Sequence, residues 1–158
     1  MNQDGNRTRR EDATRDAAAA VRRFARALVG ATGSQAGERL AQDALSLVAQ
    51  SLKPEVDPAE LAFAETVRLN RRRVKTLGAQ ADQARETAGR GETDRHESVA
   101  SAVAAMPLDE REAFLVIALS RFSYEAAARI LDLPYSSVIS RLMRARARLE
   151  AMRAAPSP

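Results

Sequence analysis

Ser137, Arg141, Arg144 and Arg148 recur at 4-3-4 spacing near the C-terminus, beside an apolar repeat of Val138, Leu142, Ala145, Leu149 and Met152. At about 100° per residue, that double pattern predicts an amphipathic helix from about Tyr135 to Met152, with one face buried and the adjoining face polar. A helix of this kind can lie in a DNA major groove. Tyr135, Ser136, Ser137 and Ser140 would reach base edges from its first turns, and Arg141, Arg144 and Arg148 would bind phosphates. An arginine-rich last helix is by itself equally a solvated face, so the preceding residues decide. Ser123 can cap a helix of about two turns that reaches Leu131, and Asp132-Leu133-Pro134 breaks it. A short helix, a three-residue break and a longer helix have helix-turn-helix spacing. Ala126, Ala127 and Ala128 would let the next helix cross closely, and Asp132 stands where the left-handed conformation is needed, which Asp tolerates.

Other chemistries find little support. Cysteine is absent and His96 is the one histidine, which excludes a disulfide scaffold, a thiol nucleophile and a His- or thiolate-based metal cage. His96 itself reads as a solvated surface residue. No Gly-rich phosphate loop, carboxylate constellation or nucleophile motif occurs, so no catalytic residue, cofactor or metal is expected and the chain reads as a non-enzyme. The run Arg71-Arg72-Arg73-Val74-Lys75 either binds phosphate or favours the dipole at a helix C-terminus. The 158 residues carry 25 Lys+Arg against 21 Asp+Glu, a net charge of +4. Placement says more than the total: residues 135–158 hold five arginines and one glutamate, while residues 107–134 are net acidic. A localised positive excess is the electrostatic footprint of a nucleic-acid contact. No apolar run approaches the ~20 residues of a membrane span, and the start MNQDGNRTRREDATRD has no apolar signal-peptide core. A soluble, cytoplasmic protein without membrane insertion is expected.

The elements needed to position these residues are all helical. Residues 1–15 are polar and are expected to be disordered. Ala17, Ala20/Val21, Phe24 and Leu28 predict a helix over about 16–29, with Gly30, Gly33 and Gly37 in the turn after it. Leu40, Ala44/Leu45, Val48 and Leu52 predict a second over about 35–52. Asp57-Pro58-Ala59-Glu60 has the form of an N-cap with a capping box. The helix it opens carries Phe63, Val67, Asn70 and Val74 on one stripe, where polar Asn70 is discordant. Residues 77–95 have linker composition, although their Ala/Gln portion could extend that helix. Beyond them, Val99, Ala102, Val103 and Met106 mark a short helix closed by Pro107. Asp109 and Glu112 suggest another capping box before Phe114–Leu119. The expected architecture is all-α: a disordered start (1–15), a helical unit (16–76), a flexible linker (77–95) and a helix-turn-helix unit (96–153).

The stretch MPLDEREAFLVIALSRFSYEAAARILDLPYSSVISRLMRARARL, Met106–Leu149, resembles region 4 of the extracytoplasmic-function (ECF) sigma factors of bacterial RNA polymerase. RRFARALVG (Arg22–Gly30) and ERLAQDAL (Glu38–Leu45) resemble sigma region 2, and LAFAETVRLNRRRV (Leu61–Val74) occupies the place of the helix that reads the −10 promoter element. The resemblance implies a two-domain sigma factor that binds core RNA polymerase through Glu38, Gln42 and Asp43. It would read the −35 element of promoter DNA through Tyr135–Arg148 and contact the −10 element through Asn70, Arg71, Arg72 and Arg73. Regulation by an anti-sigma factor is also implied. The −10 contact is expected to be weak, because tryptophan is absent and Phe63 is the one aromatic residue between Ala49 and Val74; stacking an unpaired base on an aromatic face is worth about 1–3 kcal/mol. RRFARALVG and REAFLVIALSRF equally resemble the sigma-like domain of alphaproteobacterial general-stress regulators, which binds an anti-sigma factor without initiating transcription.

Overall fold

In a computed structural model, residues 3–30, 34–51, 57–85 and 99–154 are described, with side-chain surroundings for 16–30, 35–51, 57–78 and 99–154. Seven α-helices and no strand occur among them: α1 (Gln3–Val29), α2 (Ser34–Gln50), α3 (Pro58–Arg85), α4 (Val99–Ala105), α5 (Leu108–Phe114), α6 (Tyr124–Leu131) and α7 (Tyr135–Ala154). A π-helical segment, Leu115–Leu119, continues α5.

Two boundaries differ from expectation. The backbone of residues 3–15 is helical, since α1 starts at Gln3; no proline interrupts that stretch, and a polar sequence can continue a helix nucleated by the apolar turns after it. The linker does not begin at residue 77, because α3 runs on through the Ala/Gln portion to Arg85. Leu52, the Lys53–Val56 segment, residues 86–95 and His96 lie outside the described residues.

Capping explains several ends. The Asp57 carboxylate accepts from the Ala59 amide at 2.8 Å, and the Ser123 hydroxyl accepts from the Ala126 amide at 3.2 Å. Asp132 is left-handed, at φ 54° and ψ 56°, as the break after α6 requires. The box proposed for Asp109 and Glu112 does not form. Pro107 precedes α5 with no side-chain cap, and Glu112 is 1% exposed with a partner on another helix. Glu60 likewise reaches across to α6 rather than back to its own N-cap.

Gly37 lies inside α2, not in the turn before it. A Cβ there would sit 2.8 Å from the Arg26 Cα, so the missing side chain is what lets α1 and α2 approach. Gly30 ends α1 at φ +87°, a conformation that glycine adopts without a steric penalty.

The core is continuous across the two units. Val21, Phe24, Leu28, Phe63 and Val67 join one cluster with Val103, Met106, Val116, Ile130, Leu131 and Val138. Phe24 packs on Phe63 at 4.9 Å between ring centroids, and Phe63 packs edge-on against Phe122 at 4.9 Å. Three of the four phenylalanines therefore knit α1, α3 and the loop before α6 together. A unit of some 60 residues buries only about 60% of the surface its unfolded chain exposes, so sharing a core compensates for the small size of each.

Candidate nucleic-acid interface

The helix-turn-helix is built by α6 and α7. Ala126 and Ala127 are buried at the crossing, as are Ile130 and Leu131, and Val138, Leu142 and Ala145 are buried on the facing side of α7. Met152, placed on the same stripe by its spacing, is half exposed, and its neighbours through Ala154 are exposed too, so the last turn of α7 is not buried by the other described residues. Tyr124 and Tyr135 meet edge to face, 6.1 Å apart, and tie the start of α6 to the start of α7. Tyr135 nevertheless remains 45% exposed.

The polar residues of α7 divide between two directions. Ser136 and Ser140 are exposed and point away from the core, together with Met143 and Ala147. Arg141, Arg144 and Arg148 turn toward the acidic residues of α5, and Ser137 is half-buried. Glu110, 4% exposed, accepts from Arg144 Nε at 3.3 Å and from Arg148 Nε at 2.5 Å. Asp109 lies 3.8 Å from Arg141 and 3.9 Å from Arg144. Arg144 also donates to the Ser140 hydroxyl at 3.0 Å. The arginines are thus brought together, but they already hold carboxylates. Charge neutralised inside the protein is charge that releases no counterions from DNA, so the salt dependence of binding should fall below what three free arginines would give. Sequence reasoning missed Asp109 and Glu110 as partners, although the acidic excess of residues 107–134 beside the basic excess of 135–158 was a usable signal.

The α3 residues occupy a different environment. Asn70 is 1% exposed, and neither its Oδ1 nor its Nδ2 has a hydrogen-bond partner. Arg71 points into the helix-turn-helix unit. It forms a forked pair with Glu112, its Nε at 3.1 and 3.0 Å from the two carboxylate oxygens and its Nη2 at 2.7 Å. Its Nη1 donates to the Leu131 carbonyl at the end of α6, at 3.2 Å. Burial pushes the Glu112 carboxyl up from its ordinary value, against the pull of the Arg71 guanidinium. Arg72 is exposed, and Arg73 is half-buried with Nε unpaired. Phe63 is 2% exposed within the core, so the single aromatic residue of that stretch has no face to offer a base.

On α2, Glu38 is clamped between Arg22 at 3.0 Å and Arg26 at 2.8 Å. The Arg26 hydrogen bond chiefly holds its carboxyl below the usual range. Gln42 and Asp43 are exposed one turn further along α2, next to the 44%-exposed Leu47. Arg111, which the sequence did not single out, donates to the carbonyls of Leu28 at 3.0 Å, of Met106 at 2.9 Å and of Ala104. It closes the ends of α1 and α4 with one guanidinium, as a cation at a helix C-terminus should. Among the described residues, no group of three His, Cys, Asp or Glu is placed to hold a metal, and no helix is long and apolar enough to cross a membrane.

These features define a helical protein with a helix-turn-helix formed by α6 and α7. Residues 96–149 match the family model described as "Sigma-70, region 4". The chain also shares its fold with a solved sigma factor. It superposes with a TM-score of 0.74, at 22% identity, on the sigma factor RpoE of Bartonella quintana solved in complex with the anti-sigma factor NepR, covering 93% of this chain and 98% of that one. The anti-anti-sigma factor PhyR of the same organism, solved with NepR, matches at TM-score 0.55 and 18% identity; 84% of this chain aligns with 45% of PhyR. No curated protein sequence matches the chain.

Proposed function

We propose that the chain is an ECF sigma factor that binds core RNA polymerase and directs promoter-specific transcription initiation. The observation that carries this reading is the region 4 module itself. Its second helix presents Tyr135, Ser136 and Ser140 outward for the −35 element, while Arg141, Arg144 and Arg148 flank them as phosphate ligands. In this reading Gln42 and Asp43, exposed on α2, face polymerase, and Glu38 supports them from its clamp between two arginines. Asn70, Arg71, Arg72 and Arg73 make the −10 contact, with residues 16–76 and 96–153 acting as the two sigma domains in the cytoplasm. The likeness to RpoE, solved with an anti-sigma factor, supports an anti-sigma partner here too.

A second reading is favoured by two observations. Asn70 and Arg71 are turned into the protein, and the fold also matches PhyR; both suit a mimic that occupies an anti-sigma factor without initiating transcription. Run-off transcription with core polymerase on promoters from the same genome separates the two. Specific initiation supports the sigma factor. Polymerase binding without initiation supports the mimic, and DNA binding without polymerase points to a free-standing helix-turn-helix regulator.

A further inference from the structure

Of the side chains assigned to −10 DNA, Arg71 reaches across to the second unit, and Asn70 beside it in sequence is buried. We infer that Arg71 is a latch: paired with Glu112 it keeps the free chain closed and unable to use that helix on DNA, and binding requires the pair to open. This rests on the sigma-factor reading and adds a regulatory contact to it.

Three contacts cross one interface, and a fourth observation concerns the helix that carries Arg71. The Arg71 fork spends four hydrogen bonds on the second unit, three on Glu112 and one on the Leu131 carbonyl. Arg129 on α6 makes a second forked pair with Glu60 at the start of α3, at 2.9 and 2.6 Å. Phe63 on α3 and Phe122 just before α6 are in ring contact as well. Asn70 lies beside Arg71 in sequence, buried with its amide unsatisfied. A buried amide without partners disfavours the closed state relative to one in which water or a base edge reaches it. Adjacent positions of α3 thus carry a holding contact and a buried amide without a partner. Glu112 is the group that competes with DNA, since a guanidinium engaged by a buried carboxylate cannot also bind a phosphate.

The absence of cysteine makes the test direct in the full chain. Ser46→Cys on α2 and Ala147→Cys on α7, both exposed, carry spin labels whose separation is read by pulsed dipolar spectroscopy. The free protein should give one narrow distance distribution. Glu60→Gln/Glu112→Gln should broaden it toward longer distances, with circular dichroism showing that helix content is kept. Arg129→Ala, a change at an exposed side chain, should act in the same direction more weakly and covers the case in which the double variant misfolds. Affinity for single-stranded DNA should rise about fivefold or more in the open variant, because the competent fraction rises. A broad distribution in the unmodified chain, or an unchanged one in both folded variants, overturns the latch. Opening without a gain in single-strand affinity, in a protein that still binds −35 duplex, overturns the competition with DNA. If duplex binding is absent as well, the sigma-factor reading falls and the distances alone score the latch.

Discussion

Glu112 and Arg71 show how one residue pair can be fixed by its least exposed member. Glu112 is almost wholly buried, whereas the Arg71 side chain remains 38% exposed. Removing the arginine strands a carboxylate in the core; removing the glutamate leaves a guanidinium that can still turn to water. Arg71→Ala should therefore lower stability by about 3–5 kcal/mol, and Glu112→Ala by distinctly less, in urea denaturation. The pH dependence has a worked sign. Burial raises the Glu112 carboxyl above its ordinary value of 4.5, so the fold holds that proton more tightly than the unfolded chain does. Its contribution therefore becomes more favourable as pH falls through the raised value toward the ordinary one. Glu60 behaves oppositely, held low chiefly by its hydrogen bond from Arg129, and its support is lost as pH falls. Glu112→Gln removes the gain on the acid side, so its stability should decline more steeply than that of the native chain below neutral pH. Arg111 offers a simpler case. Arg111→Met keeps most of the stem but abandons three carbonyls and should cost about 2–4 kcal/mol, since each bond to a charged donor is worth about 1.5–3 kcal/mol and the exposed parts of those carbonyls recover water.

Elements are positioned here by small departures from ideal geometry. The α1–α2 hairpin depends on Gly37, where a Cβ meets the Arg26 backbone. Gly37→Ala should destabilise by about 1–3 kcal/mol, the range for overpacking a close contact, as read in thermal melts. The turn between α6 and α7 depends on Asp132 in the left-handed region. Asp132→Gly should keep the turn and the DNA affinity, whereas the β-branched Asp132→Val should lower both, the stability by about 1–2 kcal/mol. Arg121 adopts a left-handed φ of 58° just after the π-helical segment, where the chain reverses toward Phe122. The hydrogen bonds there run from the Ser120 amide to the Leu115 carbonyl and from the Phe122 amide to the Val116 carbonyl. The wider turn lets Phe122 return to the core that Phe63 occupies.

At the scale of the whole molecule, the charge on α7 matters through what already neutralises it. Glu110 holds both Arg144 and Arg148. Glu110→Gln should steepen the salt dependence of duplex binding by about one unit of log–log slope, because a positive charge becomes available to phosphate. Arg144→Ala and Arg148→Ala should each reduce that slope by less than one, and fluorescence anisotropy across a salt series measures all three. The shared core couples the two units, so the native chain should melt in one transition and the opened variant in a broader one, as read by calorimetry.

Much of the helix-turn-helix was legible in the sequence because its signals are local. Ser123 caps, Asp132 turns left-handed and Val138, Leu142 and Ala145 face inward, each dictated by neighbours within a few residues. Asn70 was visible as a discordant residue for the same reason, and it is buried as its place on the stripe requires. The helical register of Arg141, Arg144 and Arg148 was also readable, but their partners were not. Asp109 and Glu110 are more than thirty positions away, and no periodicity links them to α7. The same holds for Arg71 and Glu112, 41 residues apart, and for Arg129 and Glu60, 69 apart. Helical spacing determines which side chains share a face, because the backbone repeat alone sets that. Which face meets which carboxylate was decided by the tertiary structure, where two small units close over one core and turn Arg71 inward.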